Sequence, residues 1–112
     1  SANTRRLTMI IGFGLFKFKE DSTEQGMAHL LEHLELEKRQ SGNLEGYVAR
    51  GLADTASFLI YTKWDSKESR EAMHEAIRTN PEVGRRFSEI MKLIDKEPIF
   101  GAFEVIERSS AH

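Results

Sequence analysis

Three kinds of hydrophobic spacing alternate along the chain, and they predict its elements. Positions 7–19 are apolar on both alternating sets: Leu7, Met9, Ile11, Phe13 and Leu15 on one, Ile10, Phe16 and Phe18 on the other. Such a run reads as a strand covered on both faces. Gly12 and Gly14 fall on one of those faces, where they leave room for a bulge, a neighbouring backbone or a ligand. A helical period follows. Ser22 and Gln25 stand at capping-box spacing, Met27, Leu30, Leu31 and Leu34 form a stripe, and Ser41-Gly42-Asn43 ends the helix.

Two strands, 47–50 and 57–64, are joined by a loop containing Gly and Asp, which is a hairpin signal. The second of them places Phe58, Ile60 and Trp64 on one side and Leu59 and Tyr61 on the other, so it too is expected to be covered twice. Asp65 or Ser66 caps a helix over 66–78, with Glu68 at capping-box distance from Asp65 and Ala72, Met73, Ala76 and Ile77 as its apolar side. Asn80-Pro81 opens a third helix, whose stripe is Val83, Phe87, Ile90, Met91 and Ile94. Glu97-Pro98 breaks it, and 99–107 closes the chain as a strand.

The order β-α-β-β-α(α)-β is the split βαβ, or ferredoxin-like, plan of the α+β class, with a four-stranded antiparallel sheet. In that plan the first and third strands are central, and they are the two read as apolar on both faces. The second and fourth, carrying Arg50 and Glu104, are edges. Helices cover one face. The other needs a partner, and a second copy pressing sheet against sheet is the simplest one, so a homodimer through the sheet face is expected.

At 112 residues the chain is read as one domain over 1–112, with 1–6 and 108–112 as flexible tails. A domain of this size buries roughly two thirds of its unfolded surface, enough for a core without staples. There are no cysteines, which excludes disulfides and thiolate metal sites and agrees with a cytoplasmic location. A formal charge of −2, with Arg5-Arg6 and Arg85-Arg86 as isolated pairs, leaves no footprint for nucleic acid. No apolar run approaches the roughly 20 residues that span a bilayer, and no signal-peptide pattern is read before the first strand, so no membrane partner is expected.

Candidate chemistry is sparse. His29-Leu30-Leu31-Glu32-His33 satisfies the H-x-x-E-H string of inverted zinc peptidases. Both histidines lie more than about 100° from the centre of the Met27-Leu30-Leu31-Leu34 stripe, at roughly 100° per residue. They are expected on the flank or in solvent, with His33 at most on a pocket rim, and no metal site is assigned. His74 titrates near neutral pH and is a possible base, although it lies about 130° from the apolar side of its own helix. Trp64 closes the third strand at the helix cap as packing or pocket wall, and Tyr47 and Tyr61 could offer phenols to a ligand. No nucleophilic triad, phosphate-cradling loop or dinucleotide fingerprint is present, so the residues point to an apolar, aromatic-lined pocket between sheet and helices that takes a small apolar or aromatic ligand.

Residues 42–83 resemble the antibiotic biosynthesis monooxygenase family of dimeric α+β barrels. The matching positions are Gly42 and Leu44, Tyr47-Val48-Ala49-Arg50, Asp54, Phe58, Trp64-Asp65-Ser66-Lys67-Glu68 at the strand-to-helix junction, and Pro81. The resemblance implies a ferredoxin-like protomer paired through its sheet, and a pocket beneath the helices. It also implies a cofactor-free oxidation of an anthrone or hydroquinone by molecular oxygen. Trp64 and Tyr47 would then line the pocket, with His33 or His74 as the base. A ligand-binding barrel without catalysis, and an isomerase or lyase on the same scaffold, are the alternatives. Haem-degrading relatives need an asparagine on the first strand, a tryptophan on the second helix and a histidine ten residues later. Phe13, Met73 and Val83 stand near those places, so haem degradation is not expected.

Overall fold

Strand β1 (Ile10–Lys17) pairs on both sides, with β3 (Ser57–Trp64) and β4 (Ile99–Glu104), while β2 (Asn43–Arg50) extends the sheet beyond β3. The sheet is antiparallel in the order β2-β3-β1-β4, so β1 and β3 are its central strands, as the plan requires. The structure, a computed structural model, describes residues 8–106. The expected tails, Leu7 at the start of the first predicted strand, Arg5-Arg6, and Glu107 at the end of the last strand lie outside those residues.

Three helices follow the predicted order: α1 (Thr23–Lys38), α2 (Lys67–Thr79) and α3 (Pro81–Met91). Asn80 caps α3 as its spacing to Pro81 predicts, its Oδ1 accepting from the N–H groups of Glu82 (3.0 Å) and Val83 (3.3 Å). Ser66 caps α2, accepting from the Ser69 N–H at 3.1 Å, and Asp65 instead takes the Ser69 hydroxyl at 2.7 Å. The capping box expected of Ser22 is absent. Its hydroxyl bonds to Asp21, because Glu20–Ser22 forms a 3-10 turn that leads directly into α1. Helix α3 also stops before Ile94, which turns back to form a β-bridge with Phe18.

Gly42 makes the junction between α1 and β2 possible. Its φ of +90° is strained for a side-chain-bearing residue, and a Cβ there would collide with the Ser69 hydroxyl. Its carbonyl accepts from the Asp65 N–H at 2.8 Å, which ties the start of β2 to the cap of α2. At the hairpin end, Asp54 accepts from the Ala56 N–H, the Ser57 hydroxyl and Lys17 Nζ. Those bonds, the lysine's first, hold its carboxyl down at about 2.

The two faces of the sheet differ sharply. On the helix side the core forms two clusters. One gathers Phe16, Phe18, Leu30, Leu34, Phe58, Ile60 and Ile90; the other gathers Ile10, Trp64, Met73 and Val83. On the opposite side Leu15, Ile99, Phe103 and Tyr47 remain exposed, with Phe13 stacked on Phe103 at 5.7 Å and Tyr47 on Tyr61 at 4.6 Å. The described residues therefore do not supply the second cover predicted for β1 and β3.

Candidate functional site

Between the two core clusters lies a cavity of about 630 Å³, within the size range of small-molecule sites. Two features of the sequence open it. Gly12 and Gly14 withhold side chains from the middle of β1, and Met73 is the one residue that α2 buries fully. Phe16, Ile60, Thr62 and Trp64 form the floor, Leu30, His33 and Glu37 of α1 one wall, and Arg70, Met73 and His74 of α2 the other. Phe100, half exposed on the edge strand, packs edge-on against Phe16 at 5.5 Å beside the opening.

His33 departs from the expectation of a flank or solvent position. It is only 4% exposed. The inward face of α1 is Gly26, Leu30, His33 and Leu34, with Leu31 turned out to solvent. Packing on two sides explains the shift: α1 lies on the sheet and also against α3, whose Phe87 ring stands 5.8 Å from the imidazole. One helical turn on, Glu37 Oε1 lies 3.0 Å from His33 Nε2, while His33 Nδ1 is buried with no hydrogen-bond partner among the described residues. The carboxylate thus stands within ion-pair range of the ring. His29 goes elsewhere, 3.8 Å from Glu32. The described residues contain no group of three or more His, Cys, Asp or Glu able to hold a metal ion.

His74 lines the mouth of the same cavity from α2. Partial burial pushes its pKa below the ordinary histidine range, and the Arg70 cation adds to the effect while Glu37 opposes it. It is held toward the neutral form near pH 7. Trp64 is 1% exposed and spends its indole N–H on Thr62 Oγ1 at 3.0 Å, so it offers the cavity a rigid wall and no free donor.

Tyr47 does not belong to this group. It pairs with Tyr61 on the far face of the sheet and is 46% exposed, so a pocket holding both Trp64 and Tyr47 is corrected by the alternation of the strands. Tyr61, the other phenol, shares that far face, where burial raises its pKa. His33, His74 and Trp64 are brought together; Tyr47 is not. Three further residues escaped the sequence reading. Glu37 was signalled by its i, i+4 spacing from His33, and Arg70 by the same spacing to His74. Thr62 is a polar residue in an otherwise apolar alternation, which marks it in retrospect. Arg86 is also more than surface charge, since it joins α1 to α3 through Glu32 at 2.5 Å.

A family model for antibiotic biosynthesis monooxygenases matches residues 9–85, well over half of the chain. No curated protein matches it in sequence. Among solved structures, a protein of Nitrosomonas europaea provisionally assigned to that family superposes with a TM-score of 0.78 at 13% identity, over 95% of this chain and 98% of the other. One from Deinococcus radiodurans with the same provisional assignment gives 0.77 at 19% identity, over 92% and 98%. A variant of SnoaB, a cofactor-independent oxygenase from Streptomyces nogalater, gives 0.75 at 11% identity, over 89% and 95%. At these identities the structural likeness speaks for the fold.

Proposed function

Because the chain belongs to the antibiotic biosynthesis monooxygenase family, we propose that it oxidises a small aromatic substrate of the anthrone or hydroquinone type with molecular oxygen, without a cofactor, inside this cavity. The observation that carries the reading is His33: a buried imidazole on the cavity wall, with Glu37 3.0 Å from its Nε2 and no hydrogen-bond partner for Nδ1 among the described residues. Nδ1 takes a proton from the benzylic or phenolic position of the bound substrate, and the Glu37 carboxylate faces the imidazolium that forms. The resulting carbanion or phenolate is electron-rich enough to pass one electron to oxygen. The radical and superoxide combine to a peroxide, which loses water to leave a quinone. For an anthrone the balance is one substrate and one O₂ giving one anthraquinone and one H₂O.

The apolar floor and the Trp64 wall orient a flat ring system and exclude water from the anion. His74, near neutral at pH 7, is placed at the mouth to relay the proton onward. Supporting a dimer is the far face of the sheet, where Leu15, Ile99 and Phe103 (61% exposed) form an apolar surface of the kind that second copies cover. No helix among the described residues is long and apolar enough to cross a membrane, and a cytoplasmic location fits a chain without cysteine.

The test is oxygen uptake by the purified protein on a panel of anthrones and dihydroxy aromatics, with and without EDTA. Uptake above the autoxidation rate that survives EDTA and disappears in His33→Gln is expected. No uptake on any member would shift the reading to a ligand-binding barrel, or to an isomerase or lyase using the same cavity.

A further inference from the structure

One cation on the cavity border stands outside any ion pair among the described residues. Of the carboxylates that border it, Glu75 holds Arg78 at 2.8 Å, Glu71 faces Lys67 at 3.7 Å, and Glu37 lies 3.0 Å from His33 Nε2. Arg70 borders the same space, is partly buried, and has no carboxylate within ion-pairing distance among the described residues. Its side chain reaches from α2 over the centre of the sheet. A Cβ on Gly12 would lie 2.8 Å from Arg70 Nε and 3.3 Å from Thr62 Oγ1, so the bare backbone of Gly12 is what gives the arginine its place. The cation is felt there, since it helps hold His74 in the neutral form.

We propose that Arg70 is a specificity-determining residue that pairs with a carboxylate of the ligand, and that the cavity takes a planar aromatic acid rather than a neutral aromatic. This rests on the reading of the cavity as the substrate site. A guanidinium partly withdrawn from water and held outside any direct ion pair is less favourable than a paired one, and an anion that enters with the ligand supplies the pair. Because the cation is unpaired at rest, its partner should be charged in the ground state, which a carboxylate is at pH 7 and an anthrone or phenol is not. The planar fork of Arg suits two parallel N–H···O bonds to a carboxylate. Beside it, Phe16, Ile60 and Trp64 supply the flat apolar floor for the ring. Such a ligand would meet Arg70 on the α2 side and His33 on the α1 side of one cavity.

The probes are anthraquinone-2-carboxylate and its uncharged amide, which share size and shape. Quenching of Trp64, the single tryptophan of the chain, reports binding without requiring turnover. The wild-type protein is expected to bind the acid at least about tenfold more tightly than the amide, as a charge-assisted pair implies. Arg70→Gln should abolish that ratio while leaving the affinity for the amide within about twofold, and Arg70→Lys should fall between, keeping the charge and losing the fork. An acid-to-amide ratio near one in the wild type, failure to bind either probe, or a ratio unchanged in a folded Arg70→Gln protein would overturn the proposal. Should the ratio hold but oxygen uptake never appear, the charge selectivity stands and the oxygenase reading alone fails.

Discussion

His33 Nε2 and Glu37 Oε1 stand 3.0 Å apart, one turn from each other on the buried side of α1. Their roles are unequal. His33→Gln removes the proton acceptor and should lower the turnover number for oxygen uptake by about 10²-fold or more, the usual weight of a general base. Glu37→Gln removes the carboxylate charge that would face the imidazolium but leaves the base in place, so a smaller loss, on the order of tenfold, is expected. Both variants should first be shown to melt cooperatively. Undiminished uptake in His33→Gln would remove the histidine from the mechanism.

Trp64 and Tyr47 separate packing from exposure. Trp64→Phe strands the buried Thr62 hydroxyl, which gave its acceptor to the indole, and trims a side chain that is fully enclosed. A loss of about 1–3 kcal/mol in urea unfolding followed by circular dichroism is expected. Tyr47→Phe, on the far face, should leave both oxygen uptake and probe binding within about twofold of wild type, well below the effect of a group in contact with substrate. A large effect of Tyr47→Phe on either would mean that the far face shares in the site.

The fold was legible because its signals are local. Asn80-Pro81, Ser66, the Gly42 turn and the two-sided apolar runs of β1 and β3 each fix their element with nearby residues, and all of these stand in the structure. The site was legible only in part. Trp64 and His74 border the cavity, while the inward face of α1 was placed one step off, because hydrophobicity alone drew the stripe through Leu31. A helix packed on two neighbours buries a wider arc, and that arc takes in His33 and Glu37, two polar residues whose side chains approach to 3.0 Å. The Arg70 position depends on Gly12, some 58 residues earlier in the chain. Nothing within one element could announce that.

Glycines distinguish room from crowding. A Cβ at Gly26 would lie 2.6 Å from the ring of Phe18, which is enclosed by Phe16 and Phe58 and cannot yield. Overpacking of about 1–3 kcal/mol, set against the roughly 1 kcal/mol that alanine gains in a helix, should leave Gly26→Ala less stable by up to about 2 kcal/mol. At Gly12 the nearest atom is the end of the flexible Arg70 side chain. Gly12→Ala should unfold within about 0.5 kcal/mol of wild type, as substitutions that meet a yielding neighbour do, yet displace the guanidinium and shift probe binding. Thermal melts of the two variants side by side decide it, and equal losses would contradict this account of Gly12.

The pH behaviour of His74 follows from its surroundings. Its pKa is depressed in the fold, so the folded protein binds fewer protons than the unfolded chain in the window between that value and the ordinary 6.5. The stabilising contribution is full above 6.5 and is lost as pH falls through the folded pKa. NMR titration of the His74 ring should show a midpoint below 6.5. Burial is the larger cause, so Arg70→Gln should raise the midpoint only partway back. An unmoved midpoint would mean that Arg70 lies too far from the ring to act on it.

The uncovered sheet face sets the last expectation. Leu15, Ile99 and Phe103 stand exposed on neighbouring strands, Leu15 opposite Ile99 and Phe103 stacked on Phe13. An apolar face of this kind on a central and an edge strand is unfavourable in water and invites either a second copy or aggregation. Closed two-fold pairing satisfies it, because each protomer offers the other the same surface. Light scattering during gel filtration should give twice the 12.8 kDa chain mass. Leu15→Glu should halve it, since a carboxylate at the centre of such an interface would be buried without a partner. Because Leu15 points away from the cavity, the resulting monomer should retain the acid preference of the probes. If it lost that preference, the partner copy would have to contribute to the site, and the cavity would be a property of the dimer rather than of one chain.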